Sequence, residues 1–161
     1  MSVPWLRRAD PEGIVMSARI RLARNVAGTA FPGWAGEAES RRLCRRLLPV
    51  LAALPPFAGG AVWRLDEMEA LDRQRLRERH LISAELAGKG AGSALLVAAD
   101  ESLSVMVNEE DHLRIQAMAP GRDLLPLWRA ADALDTAVGE RIAYAVSPRL
   151  GYLTACPSNV G

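Results

Sequence analysis

From residue 93 to residue 117 the chain runs through three short segments of strand-like pattern, and these limit the fold more than any other feature. Residues 93–99 are an apolar run and Asp100-Glu101 is a turn. Leu103, Val105 and Val107 then alternate with Ser104, Met106 and Asn108. Beyond a charged connection, Leu113, Ile115 and Ala117 alternate with His112, Arg114 and Gln116. A side-chain period of two belongs to a strand, and strands joined by such short connections pair antiparallel. The stretch therefore predicts a three-stranded meander.

The rest of the chain predicts helices around that sheet. Residues 14–23 alternate, with Ile14, Met16, Ala18, Ile20 and Leu22 on one face and Val15, Ser17, Arg19 and Arg21 on the other. Residues 1–13 read as irregular, with Trp5 and Leu6 free to dock on the body. A turn-rich FPGWAG connection leads to a helix from about Glu37, carrying Leu43, Leu47, Leu51 and Leu54 at helical spacing and Cys44 beside them. Pro49 should kink or end it. Residues 61–65 suit a short strand. Asp66 stands three before Glu69, a capping-box spacing for a second helix to about Arg79. Residues 84–92, with three glycines, predict a mobile loop without the lysine placement of a phosphate-binding loop. A helix is expected over 124–142, with Leu127, Ala131, Leu134 and Val138 inward, and a strand over 152–155. The fold class is α+β, an antiparallel sheet flanked by helices.

Composition narrows the functional classes. The chain has 161 residues, enough for one domain with a real core, and a net charge of +1, so no global basic field points to nucleic acid. Lys89 is the only lysine among 20 basic residues, so the forked guanidinium is available almost everywhere. Cys44 and Cys156 lie far apart without metal spacing, and no apolar run reaches membrane-spanning length. A reducing cytoplasm is the expected compartment.

Three stretches concentrate chemistry. Residues 17–21, SARIR, place a hydroxyl and two guanidinium groups in a row on one strand face. Two such cations repel unless an anion lies between them; the row suits either a solvent-facing strand side or a polyphosphate clamp. Residues 108–114, NEEDHLR, set Glu109, Glu110 and Asp111 in a short connection, followed by His112 and Arg114. That is either an acidic turn or a site built between rigid strands. Residues 151–161, GYLTACPSNVG, form a small-residue loop around Cys156.

Together, and in this order, SARIRLARN at 17–25, NEEDHLR at 108–114 and GYLTACPSNVG at 151–161 resemble the ATP:guanido phosphotransferases, the family of creatine kinase, arginine kinase and bacterial protein-arginine kinases. ERHLISAEL at 78–86 and DESLSVMVNEEDHLRIQ at 100–116 are most similar to the protein-arginine kinases. The resemblance implies the glutamine synthetase-like catalytic fold of guanido kinases and phosphoryl transfer from ATP, with Mg2+ carried on the nucleotide. It implies that Ser17, Arg19, Arg21 and Arg114 contact nucleotide phosphates and that His80 contacts the nucleotide. Glu110 would hold the substrate guanidinium, Glu109 and Asp111 would support the site or its magnesium network, and Cys156 would be the reactive cysteine. A guanidinium is a poor nucleophile while protonated, so a carboxylate must grip it, aim it and help take its proton. Fixed arginines and Mg2+ must neutralise the phosphoryl charge.

Only sixteen residues precede Ser17, whereas small-guanidine kinases carry a helical domain there; the resemblance thus implies arginine side chains in proteins as substrate. An arginine- or creatine-type kinase is the first rival. Ala18 and Ala84 depart from the usual serine and proline. The family's continuation after CPSNVG, with a further phosphate-binding arginine, is not in the sequence, so 1–161 is expected to be the N-terminal part of a catalytic domain, without measurable kinase activity alone. An inactive remnant with weak nucleotide binding is the second rival. The implied partners are protein substrates, a zinc-binding activator protein and Clp-type protease machinery.

Overall fold

The computed structural model describes Pro4 and residues 14–159, so the expectations for Trp5 and Leu6 lie outside the described residues. The strands are β1 (Ser17–Arg24), β2 (Ala61–Arg64), β3 (Ala94–Val97), β4 (Leu103–Val107), β5 (Leu113–Pro120), and the two-residue pair β6 (Val146–Ser147) and β7 (Gly151–Tyr152). The helices are α1 (Glu37–Ala52), α2 (Ala70–Glu78), α3 (Ala84–Ala87) and α4 (Leu124–Gly139). The first five strands make one antiparallel sheet in the order β1-β5-β4-β3-β2, and β6 and β7 form a separate hairpin. The expected meander is β3-β4-β5, and β1 joins its β5 edge.

The period of two sorts the sheet into two unlike faces. Leu22, Leu103, Val105, Val107, Leu113, Ile115, Leu96 and Ala94 point to one face, where they meet Leu43, Leu47 and Leu51 of α1 and Leu134 and Val138 of α4. Ala18, Ile20, Ala117 and Ala119 continue that layer under Leu127 and Ala131. The opposite face is covered only in part. Leu76 of α2, Leu86 of α3, and Leu65, Leu81 and Ile82 pack on Leu95, Val97 and Met106. In the β1–β5 register Arg21 faces Gln116 and Ala23 faces Arg114, so Arg19, Arg21 and Arg114 share this second face, beyond the α2–α3 cover.

Several local expectations change. Strand β1 begins at Ser17, not residue 14, and Ile14 and Met16 are exposed. Helix α1 runs through Pro49 to Ala52, with Leu43, Cys44, Leu47 and Leu51 buried as expected. Proline removes one backbone donor near the C-terminal end, where the buried leucine stripe still holds the turn. Asp66 does not cap α2: residues Leu65–Glu67 form a 3-10 turn, the N-cap is Glu69 with no side-chain bond, and Asp66 instead takes the Arg41 guanidinium at 3.1 Å. The region read as a loop begins with α3, capped by Ser83 Oγ accepting from Leu86 N–H at 3.0 Å. Buried Leu86 fixes it to the core, which glycine counting could not reveal. Helix α4 ends at Gly139, and the strand expected over 152–155 shrinks to β7.

One ion pair ties β1 to α4. Arg24 donates from Nε and Nη2 to Asp135 Oδ2, at 3.1 and 2.6 Å, and its guanidinium lies 3.7 Å from the Tyr152 ring centroid. Both side chains are buried. Removing one partner leaves the other charge without compensation, which costs about 3–5 kcal/mol. We therefore expect Asp135→Ala to lower the unfolding free energy by about that amount, with Asp135→Asn less harmful. Denaturant titration by circular dichroism checks this, and an unchanged midpoint would refute it.

Candidate functional site

The β4–β5 hairpin carries the acidic run. Asn108 opens it in a left-handed conformation, φ 55°, which asparagine tolerates better than most residues. Its Nδ2 donates to Ser40 O at 3.0 Å and Gly92 O at 2.7 Å, so the hairpin is bolted to α1 and to the loop before β3. Gly92 sits at φ 82°, and a Cβ there would fall 2.6 Å from Arg41 N; only glycine allows the approach.

Each acidic residue of the run has a different surrounding. Glu109 is 1% exposed and takes the Arg114 Nε at 2.9 Å. Glu110 is open to solvent and takes Arg114 Nη2 at 3.2 Å. Asp111 is fully buried. Its Oδ1 accepts from Asn25 Nδ2 at 2.5 Å and from Ala155 N–H at 2.6 Å, and its Oδ2 accepts from Asn159 Nδ2 at 3.0 Å. Asp111 thus joins the end of β1, the hairpin and the Cys156 loop. No carboxylate oxygen of Asp111 is left idle.

His112 is a structural pin. Its Nδ1 accepts from Val26 N–H at 3.0 Å, its Nε2 lies 3.0 Å from Ala30 O, and its own N–H donates to Asn25 Oδ1 at 2.9 Å. With a donor at Nδ1 and a carbonyl at Nε2, the fitting form is the neutral Nε2–H tautomer. Burial lowers the His112 pKa from its ordinary value, against the raising pull of the Ala30 carbonyl, Asp111 and Glu39.

Arg19, Arg21 and Arg114 meet on the uncovered face. Partial burial, then the Arg21 charge and the Arg114 charge, lower the Arg19 pKa. Like charges beside Arg19 disfavour its charged form, which an anion there would relieve. Arg21, Arg114, Ser158 and Asn159 line a cleft of about 280 Å³. Arg114 Nη2 also approaches Asn159 Oδ1 at 3.5 Å. A second cavity, of about 320 Å³, includes Phe31, Trp34, Glu109, Glu110, Thr154 and Ala155 in its wall. The arginine cleft and the carboxylate cavity meet at the Arg114–carboxylate contact.

The remaining expected residues fall around these clefts. Ser17 begins β1, on the arginine side of the strand. His80 follows α2 at φ 56°, and its carbonyl accepts from Gln116 Nε2 at 2.9 Å, next to the arginine row in the β5 register. Cys156 is half-buried, its Sγ 2.9 Å from Ser158 Oγ, in a turn closed by Thr154 Oγ1 donating to Asn159 O at 2.6 Å. Sequence reasoning missed Asn25 and Asn159, whose amides orient Asp111 and meet His112 and Arg114; each stood inside a quoted motif, but nothing local marked its partner. Among the described residues no group of three or more His, Cys, Asp or Glu side chains could hold a metal ion.

Residues 50–161 match the family model of the ATP:guanido phosphotransferase C-terminal catalytic domain. A protein-arginine kinase of Moorella thermoacetica is 40% identical across 98% of this chain and 46% of its own length. One from Symbiobacterium thermophilum is 42% identical across 98% of the chain and 46% of its own. The chain spans about half the length of the curated relatives it matches. Among solved structures, a duplicated taurocyamine kinase from Schistosoma mansoni with bound transition-state analogue components superposes with TM-score 0.81, at 30% identity, over 94% of this chain and 23% of that one. Lombricine kinase, 23% identical over 99% of this chain and 49% of its own, shares the fold with TM-score 0.77. The fold is that of the guanido kinase catalytic domain. The chain belongs to the ATP:guanido phosphotransferase family.

Two outcomes follow for stability. Because the folded His112 pKa lies below its unfolded value, the unfolded chain binds more protons and the neutral ring favours the fold. That contribution is complete above about pH 6.5 and is lost as pH falls through the lower folded pKa. His112→Gln should flatten this acid limb in denaturation midpoints measured across pH. Asp111→Ala, which strands three donors, should cost about 3 kcal/mol or more by the same denaturation.

Proposed function

We propose that this chain carries the nucleotide and guanidinium clefts of a protein-arginine kinase, which transfers a phosphoryl group from MgATP to arginine side chains in proteins. The carrying observation is Arg114, which grips Glu109 and Glu110 while lining the arginine cleft. MgATP supplies the phosphoryl group, with Mg2+ brought in on the nucleotide. Arg19, Arg21 and Arg114, with Ser17 and His80 alongside, hold the nucleotide and its phosphates. The exposed guanidinium groups of Arg19 and Arg21 fit a polyphosphate. Glu110 is the carboxylate free to receive a second cation, because Glu109 is buried against Arg114 Nε. It grips the substrate guanidinium, aims one nitrogen at the phosphoryl group and takes its proton. Asp111 and Glu109 position the hairpin, and Cys156 adds a thiol near the cation from its loop.

Identity of about two residues in five to protein-arginine kinases over nearly the whole chain supports a protein substrate over a small guanidine. In this reading the protein is cytoplasmic; among the described residues no helix is long and apolar enough to cross a membrane. Its partners are arginine-bearing proteins, a zinc-binding activator and Clp-type protease machinery. The second reading is a chain that binds nucleotide without completing transfer.

Isothermal titration with MgADP and an assay for acid-labile phosphoarginine on a casein substrate test both readings. We expect Arg19→Ala and Arg21→Ala each to weaken MgADP binding about tenfold or more. Glu110→Gln should leave MgADP binding intact and lower any phosphoarginine formation by about 100-fold. Binding without transfer by the wild-type chain would select the second reading; absence of both would sink the proposal.

A further inference from the structure

The FPGW turn forms part of the carboxylate cavity, yet the chemistry proposed above gives it no task. Trp34 is 90% exposed, on a turn that is firmly held. Trp34 N–H and Ala35 N–H both donate to Phe31 O, at 2.8 and 2.9 Å. The Phe31 ring packs edge-on to His112, with centroids 6.1 Å apart, and Ala30 O meets His112 Nε2. A rigid support thus presents a large apolar ring to water beside Glu109 and Glu110. Nothing in the core requires that ring, since it is almost wholly exposed.

The charges lining the same cavity are uneven. Glu85, Glu109 and Glu110 face it with Lys89 as the one ammonium, and Lys89 Nζ is held by Glu85 at 3.1 Å. Free arginine would bring a hydrated α-carboxylate and α-ammonium against the exposed indole, which offers neither charge a partner. An arginine within a polypeptide carries neutral amides at that point and escapes the penalty. The indole offers those neutral peptide groups a flat apolar surface.

We propose that Trp34 is a specificity-determining residue, which seats the peptide plane adjoining an arginine held in a polypeptide and so distinguishes it from free arginine. The inference rests on the assignment of Glu110 as the guanidinium carboxylate. Trp34 takes no part in the transfer itself.

Calorimetric titration of the chain with Nα-acetylarginine methylamide and, separately, with L-arginine tests it. The wild type should prefer the blocked amide. Trp34→Ala should weaken the amide about fivefold, while L-arginine and MgADP affinities stay as they were. Trp34→Phe should restore most of the preference. If Glu110→Gln abolishes amide binding but Trp34→Ala leaves it unchanged, the role of Trp34 is overturned and the Glu110 assignment stands. An equal loss of both ligands in Trp34→Ala would also overturn it, since that marks a merely structural residue. If the wild type binds neither ligand, the Glu110 assignment fails and this inference fails with it.

Discussion

A single buried carboxylate holds the functional end of this molecule together. Asp111 lies in the dry interior, where a charge is tolerated only if its lone pairs are met. It meets them with donors from three distant parts of the chain, Asn25, Ala155 and Asn159. Satisfying that one charge fixes the end of β1, the β4–β5 hairpin and the Cys156 loop against each other. Its neighbours inherit the result. Glu109 and Glu110 are displayed on a hairpin that cannot swing, and Arg114 reaches both. His112 extends the same fastening to the Phe31 turn.

The sheet supplies the second constraint. One face is sealed by α1 and α4, and it contains nearly all the large aliphatic side chains of β1 and β5. The other face is sealed over β3 and β4 by α2 and α3, and it is open where β1 and β5 present arginines. Arg19 and Arg21 stand exposed there, and Arg114 lies buried against Glu109 and Glu110. Burial first, and then the Arg21 and Arg114 charges, lower the Arg19 pKa, which suits a place for an anion.

Parts of this were legible in the sequence because they depend on short-range periodicity. The meander of β3, β4 and β5 and the buried stripe of α4 follow from periods of two and three to four, and both are present. The misreadings share a cause, which is that tertiary contact overrode a local signal. Pro49 lies within α1 because Leu47 and Leu51 are packed on the sheet. Asp66 gave up a capping position for an ion pair with Arg41, 25 residues away. The glycine-rich region starts with a helix because Leu86 is buried. At the site, the motifs named the charged residues, but their partners Asn25 and Asn159 are ordinary amides whose importance depends on where Asp111 ends up.

The sequence by itself determined which side chains share a face, since alternation assigns Ser17, Arg19 and Arg21 to one side of a strand whatever that strand pairs with. It also determined the acidic hairpin, since two strands and a short connection leave the chain no other path. Only the tertiary structure decided that these two features meet. The pairing of Ala23 with Arg114 joins residues about ninety positions apart, and no local preference encodes that register. It is selected because one slip would turn the leucine face of β1 to water and the arginine face into the core. Asp111 then locks the result, because a buried charge finds its three donors in that arrangement.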